Sequence, residues 1–371
     1  MPDPPARRPL PRRTFLQHAA GTLAVAPLWS RAAAAPALDE ALARLAGTGP
    51  EYGGGLANHG PMAAEALVRL GRMEAVAPWV DGYLRRLEPP PHGGAAVTRT
   101  DWRGALGDAR RVGGWAALFD RALREAGWKD VLQEWAPRLA PGLSAAACHG
   151  LIRTGHAARG LAERDDLIRR RELAQGLAYW AARYQALAET AGTSAPLPLE
   201  QALARVPILP AERRGRGLIA EALAGESALP GFPAVAGLVD VGADGFLSAL
   251  TETFAGVYLA QARPGTRIAF IHAVTGPSAV RLLLPHLTRE AGAALLRYAW
   301  QSAAAVYGGY AGAPLPAAGA AAPWPREEMI DRAVATGDEH AIKFTEACLR
   351  EHALAPRPAY LQAARRNIEA S

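Results

Sequence analysis

Four of the nine histidines stand in apolar surroundings, where their imidazoles could do chemistry. Each is predicted to lie at or near the start of a helix or on its inward face. Neutral imidazoles bind Fe, Zn, Cu or Ni, and helical proteins build internal metal sites from side chains on facing helices. The four therefore predict a metal site, although a hydrogen-bonded core residue is the alternative for any single one. The four histidines are His59 in Asn58-His59-Gly60-Pro61, His149 in Cys148-His149-Gly150, His272 in Ile271-His272-Ala273, and His340 in Glu339-His340-Ala341.

Two spacings place further side chains beside these histidines. Lys343 follows His340 by three residues and His156 follows His149 by seven, so the members of each pair share one helical face. Both pairs could point into one cavity. The alternative for Lys343 is a surface lysine paired with a glutamate one turn away.

Three other polar residues are candidates for supporting roles. His156 is predicted to donate a hydrogen bond to a metal ligand or a bound substrate, with a simply buried histidine as the alternative. Asp338 and Glu346 are candidates to orient imidazole N–H groups. Because Asp338 follows Gly337, capping of a helix is the preferred interpretation for this residue.

The elements that must position these side chains are predicted to be helices. The chain has 371 residues, of which 50% are hydrophobic and 20% charged, so it can bury a large core. Ala, Leu, Arg and Glu dominate and β-branched residues are sparse, a composition that favours helix. We therefore expect an all-α fold, with residues 35–371 forming a single multi-helix domain around a metal site buried between helices.

Helix limits follow from apolar periodicity and Pro/Gly punctuation. Residues up to about Gly55 are predicted as a linker, and the one β-like run is Arg267 to Val274, for which the start of a buried helix is the alternative. The predicted helices are 61–71, 73–87, 112–126, 129–138, 143–160, 171–191, 199–205, 211–225, 240–262, 277–285, 288–309, 326–336, 338–353 and 358–368.

The start of the chain predicts export. Arg12-Arg13-Thr14-Phe15-Leu16 precedes a mildly apolar stretch and an Ala-x-Ala site before Pro36, as in a twin-arginine signal covering residues 1–34. We expect the twin-arginine export machinery as a partner and a periplasmic or secreted location. We find no apolar run of about 20 residues after the signal, so we do not expect a membrane anchor.

Charge and motifs exclude several function classes. Most of the net charge of +6 lies in the predicted signal, and no clustered basic run with interleaved aromatic residues remains, so nucleic acid is not an expected partner. No GxSxG, HExxH or CxxC motif occurs. Gly215 and Gly217 have the spacing of a nucleotide-binding loop, but no predicted strand precedes them. Cys148 and Cys348 could form a disulfide after export, although small buried thiols are the preferred interpretation.

The four histidine phrases, in this order, resemble the questin oxidase-like family over roughly residues 50 to 355. The resemblance implies a mononuclear non-haem Fe(II) held by four histidines and a carboxylated lysine. Carried over residue by residue, these ligands are His59, His149, His272, His340 and Lys343. A carbamate is an anionic oxygen donor, whereas a cationic Lys343 could not bind a metal.

The resemblance further implies activation of dioxygen and oxidation or ring cleavage of an aromatic, polyketide-like small molecule. NAD(P)H is conceivable as a reductant, but no motif indicates it. Two alternatives remain open: a zinc-dependent hydrolase that uses the same histidines, and a non-catalytic helical binding protein. The aromatic residues that could line a pocket for a flat ligand, or simply pack in the core, are Trp102, Trp115, Trp180 and Tyr184.

Overall fold

The structure is a computed structural model that describes residues 28–91, 93–190, 195–215, 217–315 and 324–371. The twin-arginine motif at Arg12 and Arg13 lies outside the described residues. The division into a signal of residues 1–34 and a domain of residues 35–371 stays a prediction. The first helix begins inside that signal, at Leu28.

The fold is all-α, as predicted. Its only described strands form the short antiparallel hairpin of β1 (Glu51–Tyr52) and β2 (Leu56–Ala57). The helices are α1 (Leu28–Leu45), α2 (Gly60–Arg69), α3 (Met73–Leu84), α4 (Trp102–Ala105), α5 (Val112–Glu125), α6 (Trp128–Leu139), α7 (His149–Glu163), α8 (Leu167–Ala182), α9 (Leu199–Leu203), α10 (Ile219–Ser227), α11 (Phe246–Gln261), α12 (Arg267–Leu283), α13 (Arg289–Tyr310), α14 (Arg326–Ala335), α15 (Glu339–Leu354) and α16 (Pro358–Glu369).

Local sequence explains where several helices begin. The side chains of Asp166, Thr288 and Asp338 accept hydrogen bonds from backbone N–H groups at the starts of α8, α13 and α15. These caps satisfy donors that lack a partner inside the helix. Pro61 occupies the first turn of α2, where a missing N–H costs nothing.

Large apolar side chains fill one continuous core. Trp115, Trp135, Trp180 and Trp300 are fully buried in it. Helices α7 and α8 approach closely because Gly150 faces the backbone of Trp180, where a Cβ atom would lie 2.4 Å from the Trp180 Cα atom. The four helices that carry the predicted ligands, α2, α7, α12 and α15, pack against one another in this core.

Several predicted helix limits were wrong, three of them by a large margin. Residues 28–45 form helix α1 where a linker was predicted, because its side chains Leu38, Leu42 and Leu45 are buried in the core. Arg267 to Val274 begins a buried helix, which is the alternative that the sequence left open, but α12 runs through Pro277, where a separate helix start was predicted. Helix α10 begins at Ile219 rather than near residue 211. For α1 and α12, burial against other helices overrides the local signals, whereas Gly215 and Gly217, both with positive φ, separate α10 from the residues before it.

The two cysteines are free and buried, as preferred from the sequence. Within the described residues, one stretch, Arg267–His286, has the length and apolar composition to cross a membrane. It is mostly packed inside the protein, with 78% of its apolar window buried. Core helices of this kind meet the same criteria.

Candidate metal centre

Three of the four histidines lie at the N-terminal ends of helices, and these ends meet. His59 is the N-cap of α2, His149 is the first residue of α7, and His340 is the second residue of α15. His272 lies in the second turn of α12. Three of the four residues are buried and His340 is largely so, with 15% of its side chain exposed.

The imidazoles form one cluster. Ring centroids lie 4.6 Å apart for His59 and His149, 4.5 Å for His59 and His340, and 4.5 Å for His149 and His272. His272 and His340 are 5.8 Å apart. One nitrogen from each of His59, His149 and His340 lies within 4.8 Å of the other two, a separation that a single ion can bridge.

Hydrogen bonds fix the protonation of two rings. The Nδ1–H of His149 donates to the carbonyl of Ala146, and that of His272 donates to the carbonyl of Ile268 over 2.7 Å. A carbonyl only accepts, so each ring carries its proton on Nδ1 and has a lone pair on Nε2. These two Nε2 atoms face each other at 3.1 Å.

Two facing lone pairs repel unless a cation lies between them. With metal–nitrogen bonds of about 2.1 Å, adjacent ligands are about 3.0 Å apart in octahedral and about 3.4 Å apart in tetrahedral geometry. The observed 3.1 Å fits both. His59 adds a buried Nδ1 atom that has no hydrogen-bond partner among the described residues. The donor atoms therefore fit a metal ion.

Burial keeps the imidazoles neutral. It is the main cause that holds the pKa values of His59, His149 and His340 well below the usual range, and it lowers the pKa of His272 to about 3. The positive charge of Lys343 lowers each of these pKa values further. The helix N-termini act in the same direction, because their partial positive charge disfavours imidazolium.

Lys343 is buried, with 5% of its surface exposed, so the surface alternative for this residue was wrong. It lies one turn after His340 on α15 and acts electrostatically on all four imidazoles. Burial lowers the pKa of Lys343 to about 8, an effect that Glu339 and Asp338 partly offset.

A left-handed turn places His149. The residues before it, Ala146, Ala147 and Cys148, have φ angles of 45°, 56° and 67°. This conformation costs a residue other than glycine about 1–2 kcal/mol. It presents the Ala146 carbonyl to the His149 ring. Gly276 on α12 leaves room for the turn, since a Cβ atom there would lie 3.2 Å from the Cys148 sulfur.

His59 is held through its backbone. Its N–H donates a hydrogen bond of 2.8 Å to the Tyr83 hydroxyl. Tyr83 stacks on Trp79 with ring centroids 4.7 Å apart, and Trp79 Nε1 donates to the carbonyl of Gly337, just before α15. An aromatic pair on α3 thus lies beside two of the helix starts that form the cluster.

The predicted supporting residues have partners of different kinds. Asp338 is the cap of α15, as preferred from the sequence, and accepts from the backbone N–H groups of His340 and Ala341. Its Oδ1 atom also lies 3.7 Å from His340 Nδ1. His156 bonds Glu65 through Nδ1 at 2.7 Å. Glu346 pairs with two arginines and with none of the four imidazoles. The backbone carbonyls of Ala146 and Ile268 orient imidazoles instead.

The aromatic residues considered for a pocket belong mainly to the core. Trp115 and Trp180 are fully buried, and their indole N–H groups donate to backbone carbonyls. Trp102 packs edge-on against Trp135. Tyr184 lies against Gly142, where no larger residue would fit. Core packing, the alternative interpretation, accounts for them.

Residues 73–211 match the family model of questin oxidase-like proteins. Over that stretch the match agrees with the resemblance suggested by the histidine phrases. The match contains His149 and His156, whereas the other three histidines of the cluster and Lys343 lie outside it. No curated protein matches the chain. The family indicates an oxidoreductase with oxidase- or oxygenase-type activity.

Sequence reasoning overlooked Glu65 and Tyr83, which support the helices around the cluster. Glu65 offered a signal, because it is the one charged residue in the apolar run from Pro61 to Leu67. It is 3% exposed. For Tyr83 we find no comparable signal, since a tyrosine on an apolar helix face is ordinary.

Proposed function

We propose that His59, His149, His272, His340 and Lys343 bind a non-haem Fe(II), and that the protein is an oxygenase acting on an electron-rich aromatic small molecule. One observation carries the proposal most directly. The Nε2 atoms of His149 and His272 face each other at 3.1 Å while both Nδ1–H groups are committed to carbonyls. A shared cation is the simplest way to satisfy this arrangement.

Iron is favoured by the family match together with the donor set. Imidazoles suit Fe as well as Zn, but the questin oxidase-like family indicates oxidation rather than hydrolysis. Fe(II) bound by these residues would supply the activation of dioxygen.

Lys343 supports the proposal through its burial. A pKa of about 8 leaves roughly 300-fold more neutral amine at pH 7 than an unperturbed lysine would have. The neutral Nζ can form a bond to the carbon of carbon dioxide and release a proton, which leaves a carbamate anion. That negative charge suits the helix N-termini around it and offsets the charge of the metal.

The surroundings are compatible with a flat, apolar substrate. His340 is the most exposed of the four histidines, and Asp338 beside it is 29% exposed, so access from solvent is easiest at this end of α15. The stacked rings of Trp79 and Tyr83 adjoin the same helix start. Aromatic side chains bind flat ligands by offset stacking.

Export of the protein by the twin-arginine route is part of the proposal. Its support is the Arg12-Arg13 motif and the small-residue site before Pro36. Cleavage after residue 34 would retain Leu38, Leu42 and Leu45, the part of α1 that packs in the core. The mature protein would thus keep its fold.

The test is metal analysis of protein purified without a His-tag or chelator, followed by oxygen uptake with hydroxylated naphthalenes and anthraquinones. We expect about one iron per chain, and substrate-dependent oxygen uptake that is lost in His149→Ala. Stoichiometric zinc without oxygen uptake would indicate hydrolysis instead. Protein that remains metal-free after incubation with Fe(II) and bicarbonate would refute the proposal.

A further inference from the structure

A second polar cluster lies deeper in the same four helices that carry the histidines. We propose that this buried ionic layer fixes the register of α2, α7, α12 and α15, and that its members are positioning residues for the metal centre. The inference rests on the proposed function for its role, but not for its geometry. The ionic layer consists of Glu65, His156, Arg159, Ser278, Glu346, Arg350 and Glu351.

Helices α2 and α7 are joined at Glu65. Its carboxylate accepts hydrogen bonds from His156 Nδ1 at 2.7 Å and from Arg159 Nε at 2.8 Å, both on α7. Arg69 of α2 completes the set at 2.6 Å. Glu65 is 3% exposed, so these contacts are shielded from solvent.

Arg159 extends the connection from α7 to α15. Its Nη1 atom donates to Glu346 Oε1 at 2.5 Å. Glu346 also accepts from Arg350 Nε at 3.1 Å on the same helix. One guanidinium thus bridges two buried carboxylates, Glu65 and Glu346, that belong to different helices.

The next contacts join α15 to α12. Arg350 donates to the backbone carbonyl of Ser278 at 3.1 Å, and the Ser278 hydroxyl donates to Glu351 at 2.7 Å. Arg281 of α12 donates to the same carboxylate at 2.8 Å. Glu351 and Ser278 are fully buried. The chain of contacts therefore reaches all four helices.

Four members of the layer, one on each helix, lie at a similar depth beyond the histidines. The intervals are six residues from His59 to Glu65, seven from His149 to His156, six from His272 to Ser278 and six from His340 to Glu346. At about 1.5 Å per residue, each interval spans about 9–10.5 Å. The four helix segments thus run in the same direction from the histidine cluster to the ionic layer. A slip of any helix along its axis would disturb both.

The charges of the ionic layer make it suited to fixing the register of the four helices. Apolar side chains tolerate sliding at modest cost, whereas a buried ion pair that loses its partner is strongly destabilised. The members are charged: burial alone would raise the pKa of Glu346, but Arg159 and Arg350 lower it to about 2. Arg159, Arg69 and the His156 hydrogen bond likewise lower the pKa of Glu65, against the effect of burial.

The chain offers a matched control. Arg153 of α7 pairs with Glu172 of α8 at 2.6 Å and 2.8 Å, and both residues are buried. This pair joins α7 to a helix that carries none of the predicted ligands. It resembles the pair of Arg159 and Glu346 in chemistry and burial, but it joins α7 to α8, whereas Arg159 and Glu346 join α7 to α15.

The experiment compares two double variants of the full chain, R159M/E346L and the control R153M/E172L. The first leaves no stranded charge, because Glu65 keeps Arg69 and His156 while Arg350 keeps Glu351. Replacing a whole buried pair with apolar residues commonly preserves stability. The readouts are Fe(II) affinity by competition with a chromophoric chelator, and crystal structures of both variants without metal.

We expect R159M/E346L to fold but to bind Fe(II) at least tenfold more weakly than the parent, with a displaced His340 ring. The control should bind within twofold of the parent and keep the cluster. Equal affinities in the two variants with undisplaced imidazoles would overturn the inference. If R159M/E346L does not fold, E346Q gives the same comparison with a smaller expected loss of about threefold. A parent that binds no metal would refute the proposed function alone, because the crystal structures would still test the positioning.

Discussion

The facing imidazoles of His149 and His272 make a quantitative prediction for the variant His272→Leu. Leucine is close to histidine in volume, so the packing cost is small. The metal-free parent holds two Nε2 lone pairs 3.1 Å apart. With roughly half an electron charge on each atom and an effective dielectric constant of about 20, their repulsion is about 1 kcal/mol. The variant removes it.

The substitution also removes a favourable contact. The hydrogen bond from His272 Nδ1 to the Ile268 carbonyl is lost, at a net cost of about 0.5–1.5 kcal/mol. That carbonyl remains in the hydrogen-bond ladder of α12, so no buried acceptor is stranded. The two effects nearly cancel. We therefore expect metal-free His272→Leu to be as stable as the metal-free parent to within about 1 kcal/mol, although it replaces a fully packed polar residue.

Metal should separate the two proteins. An ion present at 100 times its dissociation constant stabilises the folded state by about 2.7 kcal/mol. For 371 residues the unfolding entropy at Tm is about 0.8 kcal/mol per kelvin, so Tm should rise by about 3–4 °C in the parent. We expect the shift to be absent in His272→Leu.

Anaerobic differential scanning calorimetry with and without Fe(II) measures both quantities. His286→Leu is the control, because His286 packs on Trp128 away from the cluster and should keep the full metal-dependent shift. Two results would refute the reasoning: a metal-dependent shift retained in His272→Leu, or a metal-free variant destabilised by more than about 3 kcal/mol. The second would mean that His272 contributes to the core rather than to a metal site.

Three further predictions follow from single residues. Lys343→Ala should bind Fe(II) more weakly than the parent. Acetate should restore part of the affinity, because its carboxylate can enter the space left by the lysine side chain. Metal titration measures this recovery, and equal recovery with chloride would argue against an oxygen donor at this position. Ala146→Gly should raise the free energy of unfolding by about 1 kcal/mol, because glycine adopts the left-handed conformation without strain. The same substitution should weaken Fe(II) binding, because His149 is held less firmly. Chemical denaturation measures the gain in stability, and metal titration measures the loss of affinity. The carboxyl group of Glu226 is fully buried and has no hydrogen-bond partner among the described residues, and burial raises its pKa to about 8. Its contribution to stability should therefore be complete below pH 4.5 and be lost as the pH rises through 8. Unfolding of Glu226→Gln at pH 5 and pH 9 should lack this loss, and identical pH dependence in the parent would contradict the prediction.

The sequence was sufficient to predict the fold class and to select the histidines that form the cluster. Helix-favouring composition and Pro/Gly punctuation are local signals, and they located most helices to within a few residues. His59, His149, His272 and His340 could be selected because each is a polar residue in an apolar phrase. The structure brings His59, His149 and His340 together across more than 280 residues of sequence, and His272 lies against His149, which agrees with the prediction that they converge.

What the sequence did not reveal depends on long-range contacts. The hydrogen bond between Glu65 and His156 joins residues 91 apart, and neither has a local pattern that names the other. The run of Ala146, Ala147 and Cys148 predicts helix by propensity. It is left-handed instead, and Gly276 of α12, which is remote in sequence, leaves space for the Cys148 side chain in this conformation. The capping role preferred for Asp338 was therefore right, whereas His156 and Glu346 have partners that the sequence did not indicate.

The features that disfavour folding of the metal-free protein are concentrated at one end of four helices. Facing lone pairs, a buried amine at Lys343 and a strained turn before His149 all lie where α2, α7 and α15 begin. None of these features stabilises a metal-free core, and apolar residues would fill the same space at lower free energy. A bound cation would relieve the lone pairs, and a carbamate would supply the anion that the helix N-termini favour. The arrangement thus makes physical sense for a metal centre, with the ionic layer about two turns deeper holding the helices in place.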